Sequence, residues 1–247
     1  MACDETEVQV LKENGRKADT KSWMIVRSTP FGQKKIVLFD YSQSRAHDTM
    51  LALMADYKGY LQTDALNVYD KISKADGVIP LGCNMHARRR FESAAVDGAP
   101  AGKSLGAEGV KFYNDLYEIE AEVREKPPDE RRKLRDEQAR PIFEKMKAWA
   151  EGHQPRLPIK SKIGGAIRYF LNEYESLISY LKDGRLEMDN GFTERAIRKF
   201  AIGRNNWIFS DTVAGAKASA LLYSLVITAK VNDVNPYAAL AQIVSDS

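Results

Sequence analysis

The sequence lacks the long apolar run that a membrane-spanning helix needs. No stretch approaches the roughly 18 consecutive apolar residues that mark such a helix, so we predict no membrane span. The first ten residues, MACDETEVQV, are acidic where a secretion signal has its apolar core, so we expect no such signal. Only two cysteines occur, Cys3 and Cys83, which is too few for a disulfide framework. Together these absences favour a reducing, cytoplasmic setting.

The sequence also lacks a strong excess of charge of either sign. It carries 37 Lys and Arg residues against 34 Asp and Glu residues, which gives a formal net charge of +3 and a pI of about 8.7. This balance does not indicate nucleic-acid binding in the way that a strongly basic domain does. The 247 residues allow one large domain or two small ones, with a composition that is ordinary for a globular protein.

The first third of the chain is predicted to be mixed α/β. Short alternating or β-rich runs, bounded by turn residues, predict five strands at residues 8–11, 22–28, 35–41, 60–64 and 78–83. Apolar residues at helical spacing predict a helix over 46–58, which Gly59 would end, and a smaller one over 68–72. The resulting order is β-β-β-α-β-α-β, and it places Asp4 and Asp64 on different strands.

The rest of the chain is predicted to be helical. We divide the sequence into a first α/β segment (1–96), an all-helical insert (97–186) and a closing segment of an acidic helix and C-terminal helices (187–247). A small, flexible connector is expected at 97–109. Ser161 is a suitable N-cap for a long helix that continues to Gly184, since Ser oxygens accept from the first free backbone N–H groups.

Two short motifs suggest chemistry but match it incompletely. GAPAGKS at 98–104 has three residues between its glycines where a phosphate-binding loop needs four, which favours a connector. Cys83 and His86 have the spacing of half a zinc site, and His153 is the only other suitable ligand, whereas a structural zinc needs four. The simpler interpretation is a buried cysteine at the end of a strand and a partly exposed histidine.

One stretch, DNGFTERAIRKFAIGRNNWIFS at 189–210, places Glu194 among several bases. These are Arg195, Arg198, Lys199 and Arg204. The arrangement fits a salt-bridge lattice, and it also fits a metal ligand beside a phosphate-binding surface. A further basic run, Arg88 to Arg90, fits either a solvated helix face or phosphate contacts. Clustered carboxylates are what two-metal phosphoryl transfer requires, but any three can be chosen from 34 acids.

Long blocks of the sequence resemble a known family. The blocks are ACDETEVQVL, RAHDTMLALMADYKGYLQTDALNVYDKI, GCNMHARRRF, DGRLEMDNGFTERAIRKFAIGRNNWIFS and GAKASALLYSLVITAK. They resemble the transposases of bacterial insertion sequences of the insertion-sequence-66 type, over almost the whole chain. The resemblance implies a DDE catalytic domain with a ribonuclease-H-like fold: a five-stranded mixed sheet flanked by helices, with a large helical insert before the last acidic helix.

The resemblance also implies site residues and partners. The DET, LQTDA and ER blocks give Asp4, Asp64 and Glu194 as the three acids that would bind two Mg²⁺ or Mn²⁺ ions. DNA would be cut and joined at transposon ends and target, with a homodimer compatible with paired ends. The bases that would contact DNA phosphates are Arg88, Arg89, Arg90, Arg195, Arg198 and Arg204. Asn190 would cap the acidic helix, and Trp207 favours a core position over base stacking.

The resemblance leaves two other functions open. Family members usually carry a DNA-binding region before the first acid, whereas here Asp4 follows three residues, and Gly191, Asn205 and Asn84 replace the usual residues of their blocks. A catalytically silent, truncated fragment that binds DNA or a protein partner is therefore the first alternative. A ribonuclease-H-like nuclease without transposition is the second.

Overall fold

A computed structural model describes residues 1–30, 32, 34–54, 56–64, 76–96 and 104–246. The small helix predicted over 68–72 lies outside the described residues, as do residues 97–103, which hold all of the GAPAGKS motif except its serine. None of the helices in the described ranges has the length and apolarity needed to cross a membrane.

The described strands form a six-stranded mixed sheet. They are β1 (Ala2–Lys12), β2 (Lys21–Thr29), β3 (Ile36–Ser42), β4 (Gly59–Thr63), β5 (Val78–Gly82) and β6 (Ser210–Thr212). Five strands follow the order β3-β2-β1-β4-β5, and β6 pairs with β1 off this path. β1 and β2 are antiparallel, as are β2 and β3, whereas β4 and β6 each run parallel to β1. The mixed sheet is confirmed, but the prediction of five strands missed β6, a three-residue strand.

Ten α-helices occur in the described residues. They are α1 (His47–Leu53), α2 (Asn84–Ala95), α3 (Leu105–Val123), α4 (Pro128–Leu134), α5 (Arg140–His153), α6 (Lys162–Asn172), α7 (Tyr174–Leu177), α8 (Gly191–Trp207), α9 (Val213–Val231) and α10 (Pro236–Ser245). A π turn at Arg135–Ala139 joins α4 to α5, and 3₁₀ turns occupy Gln154–Arg156 and Ile178–Lys182.

The chain divides into two compact units. The first consists of Met1–Ile79 together with Asn190–Ser247, and the second of Pro80–Asp189. The first therefore holds most of the sheet with α1, α8, α9 and α10, and the second holds α2 to α7. The division into segments 1–96, 97–186 and 187–247 stays a prediction.

In the first unit, the sheet is packed on both faces because its strands alternate apolar side chains. Five residues on one face pack against α8 and α9: Val8, Met24, Val26, Val37 and Phe39. On the other face, Cys3, Ile25 and Leu61 pack against Met50 and Met54 at α1. The face that carries Val8 is called the α8 face below, since α8 covers it.

The predicted helix over 46–58 is too long. α1 ends at Leu53, and Asp56 has a positive φ of 65°, a backbone conformation that no helix continues through. Tyr57 was predicted to extend the apolar face of this helix. Its hydroxyl instead donates to the carbonyl of Tyr60 at 2.6 Å, so the residue joins the turn before β4.

In the second unit, two predicted boundaries are wrong and one cap is confirmed. α3 begins at Leu105, inside the predicted connector, because the Ser104 hydroxyl accepts from the N–H of Ala107 at 3.1 Å. Ser161 caps α6 as predicted, accepting from the N–H of Gly164 at 3.1 Å. The long helix predicted to continue to Gly184 is interrupted after Asn172.

A buried ion pair lies in the core of the second unit. Arg135, on the π turn, is fully buried and donates through Nε and Nη2 to the carboxylate of Glu120, with distances of 2.8 and 2.5 Å. Its Nη1 donates to the carbonyl of Leu186 at 2.9 Å. The guanidinium is thus paired and hydrogen-bonded, which is what allows a charge to remain in a protein interior.

Candidate active site

Asp4 lies on β1, whereas Asp64 directly follows β4, the parallel neighbour of β1, so the predicted strand at 60–64 is one residue too long. Ala2 of β1 is paired with Gln62 of β4, and each aspartate follows two residues later in the chain. Side chains alternate between faces with a period of two, so Asp4 lies on the same face as Val8, which is the α8 face. Leu61 of β4 packs on the opposite face, so the same alternation continued past Thr63 would put Asp64 on the α8 face as well.

The first turn of α8 is hydrogen-bonded to the strands beside Asp4. The hydroxyls of Thr193 and Ser28 are 2.7 Å apart and buried. The side-chain amide of Asn190 donates to the carbonyl of Cys3 at 3.1 Å. Because β2 pairs Ser28 with Ala2, both bonds fix the helix start next to the Asp4 end of β1. Glu194 follows Thr193 directly, so the same bonds position Glu194.

The predicted capping role of Asn190 is half right. Asn190 is the N-cap residue of α8, but its side chain makes no capping hydrogen bond to that helix. The amide instead binds β1 through the carbonyl of Cys3. Asn190 therefore connects α8 to β1. Its N-cap position could be predicted from the sequence, but its hydrogen bond to the carbonyl of Cys3 could not.

Electrostatics link the three acids. Burial raises the pKa of Asp4 from 3.8 to about 7, and the neighbouring carboxylates of Glu5, Asp64 and Glu194 contribute to that rise. A single opposing contribution comes from the N–H of Glu5, which donates to Asp4 Oδ1 at 2.9 Å. The carboxylate of Asp4 therefore lies within electrostatic reach of both Asp64 and Glu194.

The bases of α8 occupy two kinds of environment. Arg195, Arg198 and Lys199 are exposed, on the side of the helix away from its buried residues. Arg204 is partly buried, and its Nη1 donates to the carbonyl of Glu7 on β1. The first three are placed to meet a ligand from solvent, whereas Arg204 holds the C-terminal half of α8 against the sheet.

The arginines of α2 lie in the second unit and each has protein contacts. Arg88 bonds Asn114 at 3.0 Å and pairs with Glu92 at 3.2 Å. Arg89 donates to the sulfur of Met85 at 2.8 Å. The guanidinium of Arg90 lies over the ring of Tyr169, 4.1 Å from its centroid. Arg89 and Arg90 are exposed, so both can contact a ligand as well.

Three further residues singled out from the sequence are placed by packing. Trp207 packs on the core of the first unit, 5.2 Å from the ring of Phe200, which confirms the predicted core position. Cys83 is buried, as predicted, at the start of α2. The ring of His153 lies 5.3 Å from that of Trp149. Zinc binding by Cys83 and His86 stays a hypothesis.

The tie between Thr193 and Ser28 gives a stability prediction. Thr193→Val keeps the volume and removes one hydroxyl, which leaves the buried Ser28 hydroxyl without this partner. We expect the free energy of unfolding to fall by about 1–2 kcal/mol, the cost of an unmade buried hydrogen bond. Denaturant titration measures this.

The control for this variant is Thr212→Val, at the exposed cap of α9. The Thr212 hydroxyl accepts from the N–H of Gly215 at 3.0 Å, and the same substitution there should cost about 1 kcal/mol or less. The larger loss is expected at Thr193 because that variant alone breaks a buried bond at the start of α8 beside Asp4. Equal losses of stability in the two variants would show that the bond between Thr193 and Ser28 contributes no more than an exposed cap.

The first unit is thus a mixed α/β layer structure in which Asp4 on β1 interacts electrostatically with Asp64, just after β4, and with Glu194 on α8. The sequence profile of the transposase IS66 family matches residues 1–218. The chain belongs to this family, which confirms the resemblance seen in its sequence blocks.

Among curated proteins, the chain is similar to two uncharacterized proteins of Sinorhizobium fredii. It is 33% identical to y4hP over 205 residues, which cover 78% of this chain and 37% of that protein. It is 30% identical to y4qI over 251 aligned positions, covering 97% of this chain and 46% of that protein. The chain therefore spans less than half the length of these relatives. No solved structure matches it.

Proposed function

We propose that this chain is the catalytic domain of a DDE transposase that cuts and joins DNA with divalent metal ions. The observation that carries the proposal is the position of Asp4 on β1, where its carboxyl is largely buried and interacts electrostatically with Asp64 and with Glu194 of α8. A ribonuclease-H-like fold is part of the proposal. It is supported by an antiparallel β1–β2–β3 meander with β4 added parallel to β1.

The residues present suit Mg²⁺ or Mn²⁺. Asp4, Asp64 and Glu194 offer carboxylate oxygens, the hard ligands that both ions prefer. Burial and neighbouring carboxylates make the charged form of Asp4 unfavourable, and a cation would relieve both effects. When bound, two such ions supply Lewis-acid activation of a hydroxyl nucleophile and neutralise charge at a scissile phosphate.

The remaining residues have holding and binding roles in this proposal. Thr193 and Asn190 keep the start of α8 against β1 and β2, and so keep Glu194 near Asp4. Arg195 and Arg198, exposed on α8, would contact DNA phosphates. Such contacts fix the position of DNA without reading its sequence, and they make binding sensitive to salt. The proposed phosphate contacts also include Arg88, Arg89 and Arg90, whereas Arg204 would have to exchange its bond to the carbonyl of Glu7 for a bond to phosphate.

We further propose the substrates, the location and the oligomeric state that go with this activity. Transposon ends and target DNA are the proposed substrates, in the cytoplasm, where bacterial DNA lies. A homodimer would suit a reaction that joins two ends. These statements rest on the family and on the carboxylate cluster, which would act in each copy.

The test is a DNA assay of the purified chain with Mn²⁺. A labelled duplex carrying a free 3′-hydroxyl is mixed with supercoiled plasmid, and products are separated on a denaturing gel. We expect nicked plasmid and labelled joined products, both absent when EDTA replaces Mn²⁺. Nicks without joined products would favour a nuclease. Salt-dependent DNA binding with neither product, and indifferent to Mn²⁺, would favour the catalytically silent module and contradict the proposal.

A further inference from the structure

Acidic and basic residues are unevenly distributed along the second unit. Between Gly152 and Asn172 there is no Asp or Glu, and four bases occur: Arg156, Lys160, Lys162 and Arg168. By contrast, residues 105–151 mix ten bases with twelve acids. Several of those bases are already paired one helical turn away, as Lys126 is with Glu130 at 2.5 Å. An acid-free basic segment is therefore a local feature, which the near-neutral overall composition conceals.

Contacts connect this segment to α2. The guanidinium of Arg90 on α2 lies 4.1 Å from the ring centroid of Tyr169 on α6. The neighbouring Arg168 donates through Nη2 to the carbonyl of Ile159, which precedes Lys160. Arg90 thus contacts the sequence neighbour of Arg168, and Arg168 contacts the sequence neighbour of Lys160. We call Arg90, Arg156, Lys160, Lys162 and Arg168 the α2–α6 basic surface.

The backbone that carries these bases is held in place. The hydroxyl and the N–H of Ser161 both donate to the carbonyl of Pro158, at 2.8 and 3.1 Å. The N–H of Leu157 donates to the carbonyl of Gln154 at 3.3 Å, at the end of a 3₁₀ turn. Ordering a loop on binding costs free energy, and a loop that is already ordered avoids much of that cost.

The outermost bases are available to a ligand. Arg156 and Lys160 are exposed, and within the described part of the chain neither makes an ion pair. Lys162, also exposed, lies two residues further on. From Lys162 to Tyr169 the chain rises along α6 by about 1.5 Å per residue, so the surface extends over about 10 Å. Several successive phosphates of one DNA strand fit within that length, since they lie about 3.4 Å apart along the helix axis.

We propose that the α2–α6 basic surface binds the phosphate backbone of duplex DNA, as a contact of the helical unit separate from the bases of α8. The proposal rests on DNA being the substrate, as proposed above. A protein partner is disfavoured because stable protein interfaces centre on clustered apolar or aromatic side chains. Here exposed bases predominate, and the exposed apolar residues beside them are Ile159 and two prolines, Pro155 and Pro158.

The experiment measures DNA binding without catalysis. A fluorescent duplex is titrated with the full chain in EDTA over a series of KCl concentrations, followed by anisotropy. The test variant is Arg156→Glu with Lys160→Glu. The matched control is Arg132→Glu with Lys145→Glu, which makes the same change of charge at exposed positions of the same unit. Thermal unfolding of both variants checks that they fold.

We expect the test variant to lose two phosphate contacts and the control to lose none. The slope of log K against log salt should therefore become shallower by about 2 in the test variant, with an affinity loss of about tenfold or more. Equal slopes and affinities for the two variants would overturn the inference, as would tighter binding of polyglutamate than of DNA to the same surface.

The result separates this inference from the proposed catalysis. The carboxylates take no part in binding in EDTA, so Asp64→Asn should bind DNA at least as well as the wild-type chain. If the chain binds DNA through this surface but forms no cleaved or joined product, the catalytic proposal fails and the inference stands. If products form and the test variant binds as the control does, the inference fails alone.

Discussion

Asp64→Asn and Glu194→Gln should each lower the rate of Mn²⁺-dependent DNA cleavage by about 10³-fold or more. Both substitutions keep the size of the side chain and remove one of the negative charges that act on Asp4. A metal ligand contributes several kcal/mol to the charge stabilisation of the transition state, and about 1.4 kcal/mol corresponds to each tenfold change in rate. The rates come from single-turnover cleavage of a labelled duplex, with metal affinity measured in parallel by calorimetry.

The matched controls are Glu130→Gln and Asp136→Asn. Both acids are exposed in the second unit, where they pair with Lys126 and Arg140. They lose the same charge, so a general effect of charge on DNA binding appears in them too. We expect their cleavage rates to stay within about twofold of wild type, since exposed ion pairs contribute little. If Asp64→Asn and Glu194→Gln cleave as fast as these controls, the acids are not the catalytic ligands.

Strands β2 and β3 could be predicted because they carry their pattern locally, whereas the predicted strand at 8–11 missed the first six residues of β1. Residues 22–28 and 35–41 alternate apolar side chains between two packed faces, and both strands occur within one or two residues of those bounds. β6 could not be predicted in this way, because Ser210–Thr212 contains no apolar residue and exists through its pairing with β1. The end of α1 was missed because apolar spacing continues to Tyr57, which bonds to the next turn instead.

The acids of the site could be predicted from the sequence, but the residues that hold the site in position could not. Asp4, Asp64 and Glu194 came from the resemblance of sequence blocks, since spacing alone cannot select three acids from many. The hydroxyls of Ser28 and Thr193 meet across 165 positions of sequence, and neither stands in a pattern that marks the other. A serine in a strand and a threonine in a first helical turn are common, so only the packing of α8 reveals their contact.

The environment of an arginine could not be predicted from the sequence either. Arg198 and Arg204 both lie on α8, yet one is exposed and the other donates to the carbonyl of Glu7. In the second unit, Arg135 is fully buried with Glu120, although its sequence neighbourhood has the alternating charges of a solvated helix. A sequence shows where bases are concentrated. Whether a given base meets solvent, a carbonyl or a carboxylate depends on the tertiary contacts of its side chain.

Asp4→Asn should stabilise the metal-free protein at about pH 8 by about 2–4 kcal/mol, although it removes a proposed metal ligand. Burial is the largest cause of the raised pKa of Asp4, and Asn removes the buried charge while keeping an oxygen for the N–H of Glu5. Functional sites often hold such a cost, because selection for activity opposes selection for stability. The control Asp136→Asn removes an exposed acid and should lower stability slightly through its lost pair with Arg140.

The pH dependence of this gain distinguishes its cause. Folding raises the pKa of Asp4 from 3.8 to about 7, so between these values the folded chain holds a proton that the unfolded chain has lost. The free energy of unfolding of the wild type therefore falls as pH rises from 3.8 to about 7. Over the same interval, the stability gained by Asp4→Asn grows from near zero at pH 3.8 to its full value above about pH 7. Denaturant titrations in EDTA across this range measure the difference. Adding Mn²⁺ should stabilise the wild type more than Asp4→Asn, since a ligand stabilises the state that binds it. A stability gain that is the same at every pH would show that Asp4 does not carry a buried charge. A gain that Mn²⁺ leaves unchanged would show that Asp4 is not a metal ligand.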